Sequence, residues 1–116
     1  MIRKEDIENN NIVLNIGWAI KLNDLDRYNI KENEYTEKYK KRKSLFSLVK
    51  LPMDSENTHK YESEQLKEVL LKKSLRFIQE HNLKIDGDII GIVINVAVED
   101  SREMQYILMS VPIADM

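Results

Sequence analysis

The chain has 116 residues, a net charge of −2 at pH 7, no cysteine, three glycines and two prolines. That length fits one domain, read as residues 1–116 with 1–11 as a flexible lead-in, and lets a chain bury about two-thirds of its unfolded surface. The composition excludes disulfides and thiolate metal sites, and the small negative charge excludes a global field drawing the chain to nucleic acid or an acidic membrane.

Asn9, Asn10 and Asn11 form a breaker cluster ahead of the first periodic segment. From there Ile12, Leu14, Ile16, Trp18, Ile20 and Leu22 alternate with smaller or polar residues. This period of two predicts a half-buried antiparallel strand over 12–22, with Gly17 marking a bulge or the close approach of another backbone. Residues 24–43 carry weaker signals. Asn23, Asp24 and Asp26 suit a turn, while Tyr35 and Tyr39 are spaced for one helical face in a segment that also suits an edge strand. Residues 44–53 read as a strand, with Leu45, Val49 and Leu51 opposite Phe46 and Leu48, and Pro52 weakening its end. Residues 54–62 are a polar loop.

A helix is predicted from Ser63, as N-cap, to about Asn82, with Glu64 placed favourably in the first turn. Leu66, Leu70, Leu71, Leu75, Phe77 and Ile78 cover about half of its circumference at 100° per residue. His81-Asn82 and Asp86-Gly87 are stop and turn signals. Residues 88–98 are nearly all β-branched, with Asn95 the polar exception, and read as a central strand covered on both faces. Residues 99–103 make the hairpin loop. The returning strand 104–113 puts Gln105, Ile107, Met109, Val111 and Ile113 on one face and Tyr106, Leu108 and Ser110 on the other. The fold class is therefore α+β: an antiparallel sheet of four or more strands, with one long amphipathic helix packed on one face. The element order leaves room for a degenerate duplicated unit.

Residues 75–96, "LRFIQEHNLKIDGDIIGIVINV", and 99–113, "EDSREMQYILMSVPI", carry a leucine–aromatic helix, an Asn/Gly turn, a strand, a charged loop and an apolar-Pro-Ile close. Residues 15–30, "NIGWAIKLNDLDRYNI", match more loosely. In these features the chain resembles the GyrI-like effector-binding domains, found alone or in MerR- and AraC-type regulators. The resemblance implies a small-molecule-binding module linked to transcription regulation, without catalysis. Family members place an acid and then an aromatic on the strand after the helix; Ile90, Gly91, Ile92 and Val93 here supply neither.

Two sets of residues are candidate sites. Trp18, Tyr28, Asn95 and Tyr106 are candidates to line a helix–sheet cleft for an apolar or aromatic small molecule, since such clefts combine aromatic walls with a few polar groups. The plain alternative, a core tryptophan, is the stronger reading of Trp18. Met53, Met104 and Met109 would give such a cleft an adaptable lining. Lys38, Lys40, Lys41, Arg42 and Lys43, with Tyr35 and Tyr39 interleaved, form a polyanion or partner patch, or else a solvated edge. Glu32, Glu34 and Glu37 offset much of that charge, so direct nucleic-acid binding is not expected. His59 and His81 lack metal-ligand spacing, and Glu62/Glu64 and Glu99/Asp100/Glu103 read as solvated carboxylates, so neither a metal, a cofactor nor a catalytic residue is assigned. No signal peptide or membrane span is evident, and a cytoplasmic setting is expected. The alternative function is a small inhibitor or immunity-type protein acting on a protein partner.

Overall fold

Alternating apolar residues build the sheet, and the long strand nearest the C-terminus organises it. The computed structural model describes residues 1–52 and 62–116. A short helix, Lys4–Glu8, and a single 3-10 turn, Leu22–Asp24, precede strand β1, Ser44–Pro52. A long helix over residues 63–80 follows, then β2, Leu83–Ile85, β3, Ile90–Glu99, and β4, Arg102–Asp115. All pairings are antiparallel. β1 lies along one edge of β4, with Val49 opposite Ile107, and β2 and β3 share the other edge end to end. The α+β architecture, its four-stranded antiparallel sheet and its one long helix match the expectation.

The sheet has a helix-covered face and an open face, and the period-two pattern decides which residue goes where. Val49, Leu51, Ile107, Met109 and Val111 point at the helix and are buried with its Leu66, Leu70, Leu71 and Ile78. A π-turn at Lys67–Leu71 widens the helix there. Successive residues rotate less in such a turn, which helps the neighbours Leu70 and Leu71 both reach the core. Ser74, the one buried polar residue among those described, is satisfied by Ser47 Oγ at 3.1 Å. Phe46, Leu48, Ile92 and Leu108 occupy the opposite face, where Phe46, Leu48 and Ile92 stay more than half exposed.

The ends of the helix differ slightly from the pattern reading. Glu62, not Ser63, is the N-cap; its N–H donates to Gln65 Oε1 at 3.0 Å, while Ser63 Oγ donates to the Ile12 carbonyl at 3.4 Å. His81 closes the helix, stacked on Phe77 with ring centroids 3.9 Å apart, and Asn82 turns the chain with φ of 51°. Gly91 marks a close contact. A Cβ there would sit 2.9 Å from Met109 Sδ and 3.0 Å from Ile107 Cγ2, so those side chains fill the space that glycine leaves.

Four expectations are corrected. Residues 1–11 are no flexible lead-in: Ile2 is 1% exposed and exchanges hydrogen bonds of 2.8 Å with Ile89. Residues 12–22 make no strand. Ile12 is buried and Leu14 packs on the core, but beyond them the segment runs irregularly into solvent, and nothing lies within 4 Å of the Gly17 Cβ position. Consequently β3 is an edge, not a central strand, and Val93, Ile94, Val96 and Val98 stay about half exposed or more; β4 is the strand flanked on both sides. Residues 24–43 form neither a long helix nor an edge strand; they close locally in turns over 24–30, with Ile30 N–H 2.9 Å from Leu25 O, and at Asn33–Thr36, with Thr36 N–H 3.1 Å from Asn33 O. Among the described residues there is one β-α-β-β-β unit and no second copy of it. The polar loop at 54–62 and the residues Met53 and His59 fall outside the described residues, apart from Glu62.

The predicted five-residue hairpin loop tightens to two residues. Glu99 pairs with Arg102, and Asp100 and Ser101 both adopt left-handed backbones, with φ of 50° and 64°. That is the geometry of a type I′ turn, which suits glycine at its second position. Ser101→Gly is therefore expected to stabilise the fold by about 1 kcal/mol, read as a higher urea midpoint at unchanged m-value.

Candidate functional site

The open face of the sheet becomes a cleft where the chain before β1 folds beside it. Register sets Phe46 opposite Ser110, and Ser110 opposite Ile90 on the next strand; Ser44 faces Pro112 one row on. These rows form a floor of mixed apolar and hydroxyl character. Residues 37–42 wall one side, and Lys4, Gly87 and Asp88 complete the rim. The cleft holds about 630 Å³ and lies open to solvent.

The walls are held by a small polar network. Arg3 bridges Glu37 at 2.6 Å and Asp88 at 3.9 Å, and Asp88 also accepts the Lys4 backbone N–H at 2.8 Å. Tyr39 donates to Glu37 Oε2 at 2.7 Å, and its hydroxyl also contacts the Met1 sulfur. The Tyr39 hydrogen bond, then that of Arg3, holds the Glu37 carboxyl below its usual range. Burial, reinforced by Glu37, pushes the Tyr39 phenol up to about 12. Glu37 is thus ionised and Tyr39 protonated around neutrality. Arg42 donates to the Asp86 carbonyl, and its guanidinium fills the space where a Gly87 side chain would project.

Charge in the cleft is lopsided. Five cations, Lys4, Lys38, Lys40, Lys41 and Arg42, face two carboxylates, Glu37 and Asp88. Lys38 is paired with Glu32 at 2.7 Å, while Lys40 and Lys41 form no ion pair among the described residues. Lys40 and Lys41 thus line a floor of mixed apolar and hydroxyl character without an ion-pair partner among the described residues. Of the basic run, Lys43 alone stands apart from the cleft; its carbonyl accepts the Ile113 N–H at 3.0 Å, extending the β1–β4 ladder.

The four predicted ligand residues do not assemble as expected. Trp18 is fully exposed and Tyr28 is more than half exposed, its ring 5.4 Å from the Arg27 guanidinium carbon. Asn95 and Tyr106 are cross-strand partners, yet both face away from the helix, so a helix–sheet cleft cannot include them. None of the four lines the large cleft or the smaller one of about 180 Å³ between the helix and β1. Tyr106 instead donates to Glu99, which also pairs with Lys50. Lys50 first and Tyr106 second lower the Glu99 pKa, and Glu99 raises that of both partners. This is an exposed ladder of cross-strand charges.

Phe46, Ile90, Ser110 and Pro112 are the site residues that sequence reasoning missed. Their signal was present in part, since alternation already put Phe46 opposite Leu45. No cluster of three or more metal-ligating side chains occurs among the described residues, and no helix there is long and apolar enough to cross a membrane. No family model, curated protein or solved structure matches the chain.

Proposed function

We propose that this chain is a non-enzymatic binding module that takes a small anion with an apolar body in the cleft beside residues 37–42. The observation that carries the reading is an open cleft of about 630 Å³ in which Phe46, Ile90 and Pro112, with two serines, meet a wall rich in cations. Ligand clefts commonly fall between about 300 and 1,000 Å³ and pair apolar lining with a few placed polar groups. Phe46 and Ile90 would cover the apolar body, and Lys40 and Lys41 would meet the charge. The resemblance to GyrI-like effector-binding domains supports the same class of activity, with the sign of the ligand charge reversed. Any link to transcription regulation would run through a further domain or a DNA-binding partner. The alternative, action on a protein partner, would draw on a different surface, formed by β3 and residues 16–22.

Calorimetry with three probes of equal chain length tests the proposal. Decyl phosphate should bind, decanol should bind at least tenfold more weakly, and decylamine should show no saturable heat. Equal binding of all three would show a merely greasy surface and overturn the reading.

A further inference from the structure

Gly87 is a glycine that its backbone does not require. Its φ is not positive, so other residues could adopt the same conformation. The common reason for glycine in a turn is therefore absent, and the other reason, close approach of a neighbour, is present. A Cβ there would collide with Arg42 Nη1 and lie 3.4 Å from Arg42 Cζ and 3.5 Å from Pro112 Cβ. The Arg42 guanidinium occupies the seat that the missing side chain leaves, and from it donates to the Asp86 carbonyl.

That seat matters because the cleft wall has little other support. Among the described residues no backbone–backbone hydrogen bond ties residues 37–42 to the sheet; the ladder begins at Lys43, whose carbonyl accepts the Ile113 N–H at 3.0 Å. Side chains hold the wall instead, and they converge on the turn 86–88. At one end Arg42 reaches the Asp86 carbonyl, and at the other Glu37 is joined through Arg3 to Asp88. The turn is itself fixed: the Asp86 N–H donates to the Pro112 carbonyl at 2.8 Å, and Asp88 accepts the Lys4 N–H at 2.8 Å. Lys38, Lys40 and Lys41 lie in sequence between the two clasps.

We infer that Arg42, seated on Gly87, is a positioning residue that holds the cationic wall over the floor, so that Lys40 and Lys41 meet an anion already in place. The inference rests on the anion site proposed above and adds what fixes its shape. The two clasps are unequal. Arg3 and Glu37 form an open ion pair, their side chains 39% and 43% exposed, and such pairs hold weakly and are screened by salt. Arg42 combines a charge-assisted hydrogen bond with a seat shaped to fit it. It also adjoins Lys41 and stands two residues from Lys40, so fixing it removes much of the freedom that binding would otherwise have to remove.

Gly87→Ala isolates this role. It keeps every charge in the cleft, adds one methyl group and asks nothing of the backbone. The nearest atom it meets is the far end of a flexible side chain, so Arg42 gives way and the fold stays. Were Arg42 merely a charge tied down at the Asp86 carbonyl, releasing it would let it reach the anion and tighten binding. A positioning role predicts the opposite sign.

Relaxation NMR on the full chain without ligand, and calorimetry with decyl phosphate, test the two parts separately. Backbone order parameters of residues 38–42 should be about 0.8 in the wild-type chain and fall below about 0.6 in Gly87→Ala, with β1, β4 and the urea midpoint unchanged. Gly87→Ala should weaken decyl phosphate binding roughly fivefold to tenfold and leave decanol binding as it was. Arg42→Ala should weaken decyl phosphate binding at least as much, and adding Gly87→Ala to it should cost nothing further, since the methyl group then has nothing to displace. The inference is overturned by residues 38–42 that are already flexible in the wild-type chain, or that stay ordered in Gly87→Ala. Unchanged or tighter decyl phosphate binding by Gly87→Ala overturns it as well, as does a further loss in the double variant. If the order parameters fall as expected while the wild-type chain binds no decyl phosphate, the anion site fails and the Arg42 clasp stands.

Discussion

Leu71→Ala is expected to cost about 3–4 kcal/mol and to lower the Tm by on the order of 10–20 °C. Leu71 is 0% exposed, sits in the widened turn of the long helix, and belongs to the one continuous core shared by helix and sheet. A rigid sheet on one side and a neighbouring turn on the other leave little room for the cavity to collapse, so the cavity cost adds to the lost transfer energy. A domain of this size is held by only about 5–15 kcal/mol in all, so the loss is a large fraction of the total. Leu48→Ala provides the contrast. It removes the same atoms from the open face, where the side chain is about half exposed, and should cost less than about 1 kcal/mol. Urea denaturation of the two variants therefore reports which face of β1 is packed.

Charge reversal in the cleft should have the largest functional effect. Lys40→Glu with Lys41→Glu is expected to weaken decyl phosphate binding by roughly 10- to 100-fold, because each reversal replaces an attraction by a repulsion at close range. The effect should shrink as salt shortens the screening length below about 10 Å. Stability should hardly change, since neither lysine has an ion-pair partner among the described residues. Phe46→Ala should weaken the same ligand through lost apolar contact while leaving the salt dependence intact. That pair of outcomes separates the two halves of the site, and a charge reversal without effect would remove the lysines from it.

The second half of the chain was legible because its patterns are local. Alternation over 44–52 and 104–113 assigns each residue to a face, and the leucine stripe of residues 66–78 has one sheet face to cover. The position of β3 was not legible. A run such as Ile89 to Val98 suits a buried central strand, and only pairing partners decide whether it is flanked; here β4 takes that place and β3 is left at the edge. The same missing partner explains Trp18. Six alternating apolar positions from Ile12 promised a strand, but only Ile12 and Leu14 find a surface within the chain. Gly91 looked like a lost acidic position and is better explained by Met109 and Ile107 filling its space. The basic run was visible in sequence, yet its meeting with Phe46 and Ile90 depends on long-range contacts, Arg3 with Glu37 and Arg42 with the Asp86 carbonyl, that no spacing rule encodes.

The most direct test of the cleft is a titration of isotope-labelled protein with decyl phosphate, followed by amide NMR. Saturable shifts concentrated at residues 39–44, Phe46, Gly87, Ile90 and Ser110, and absent from the Lys40→Glu, Lys41→Glu variant, are the predicted result; shifts spread over the exposed apolar residues of β3 and 16–22, or none at all, would contradict it.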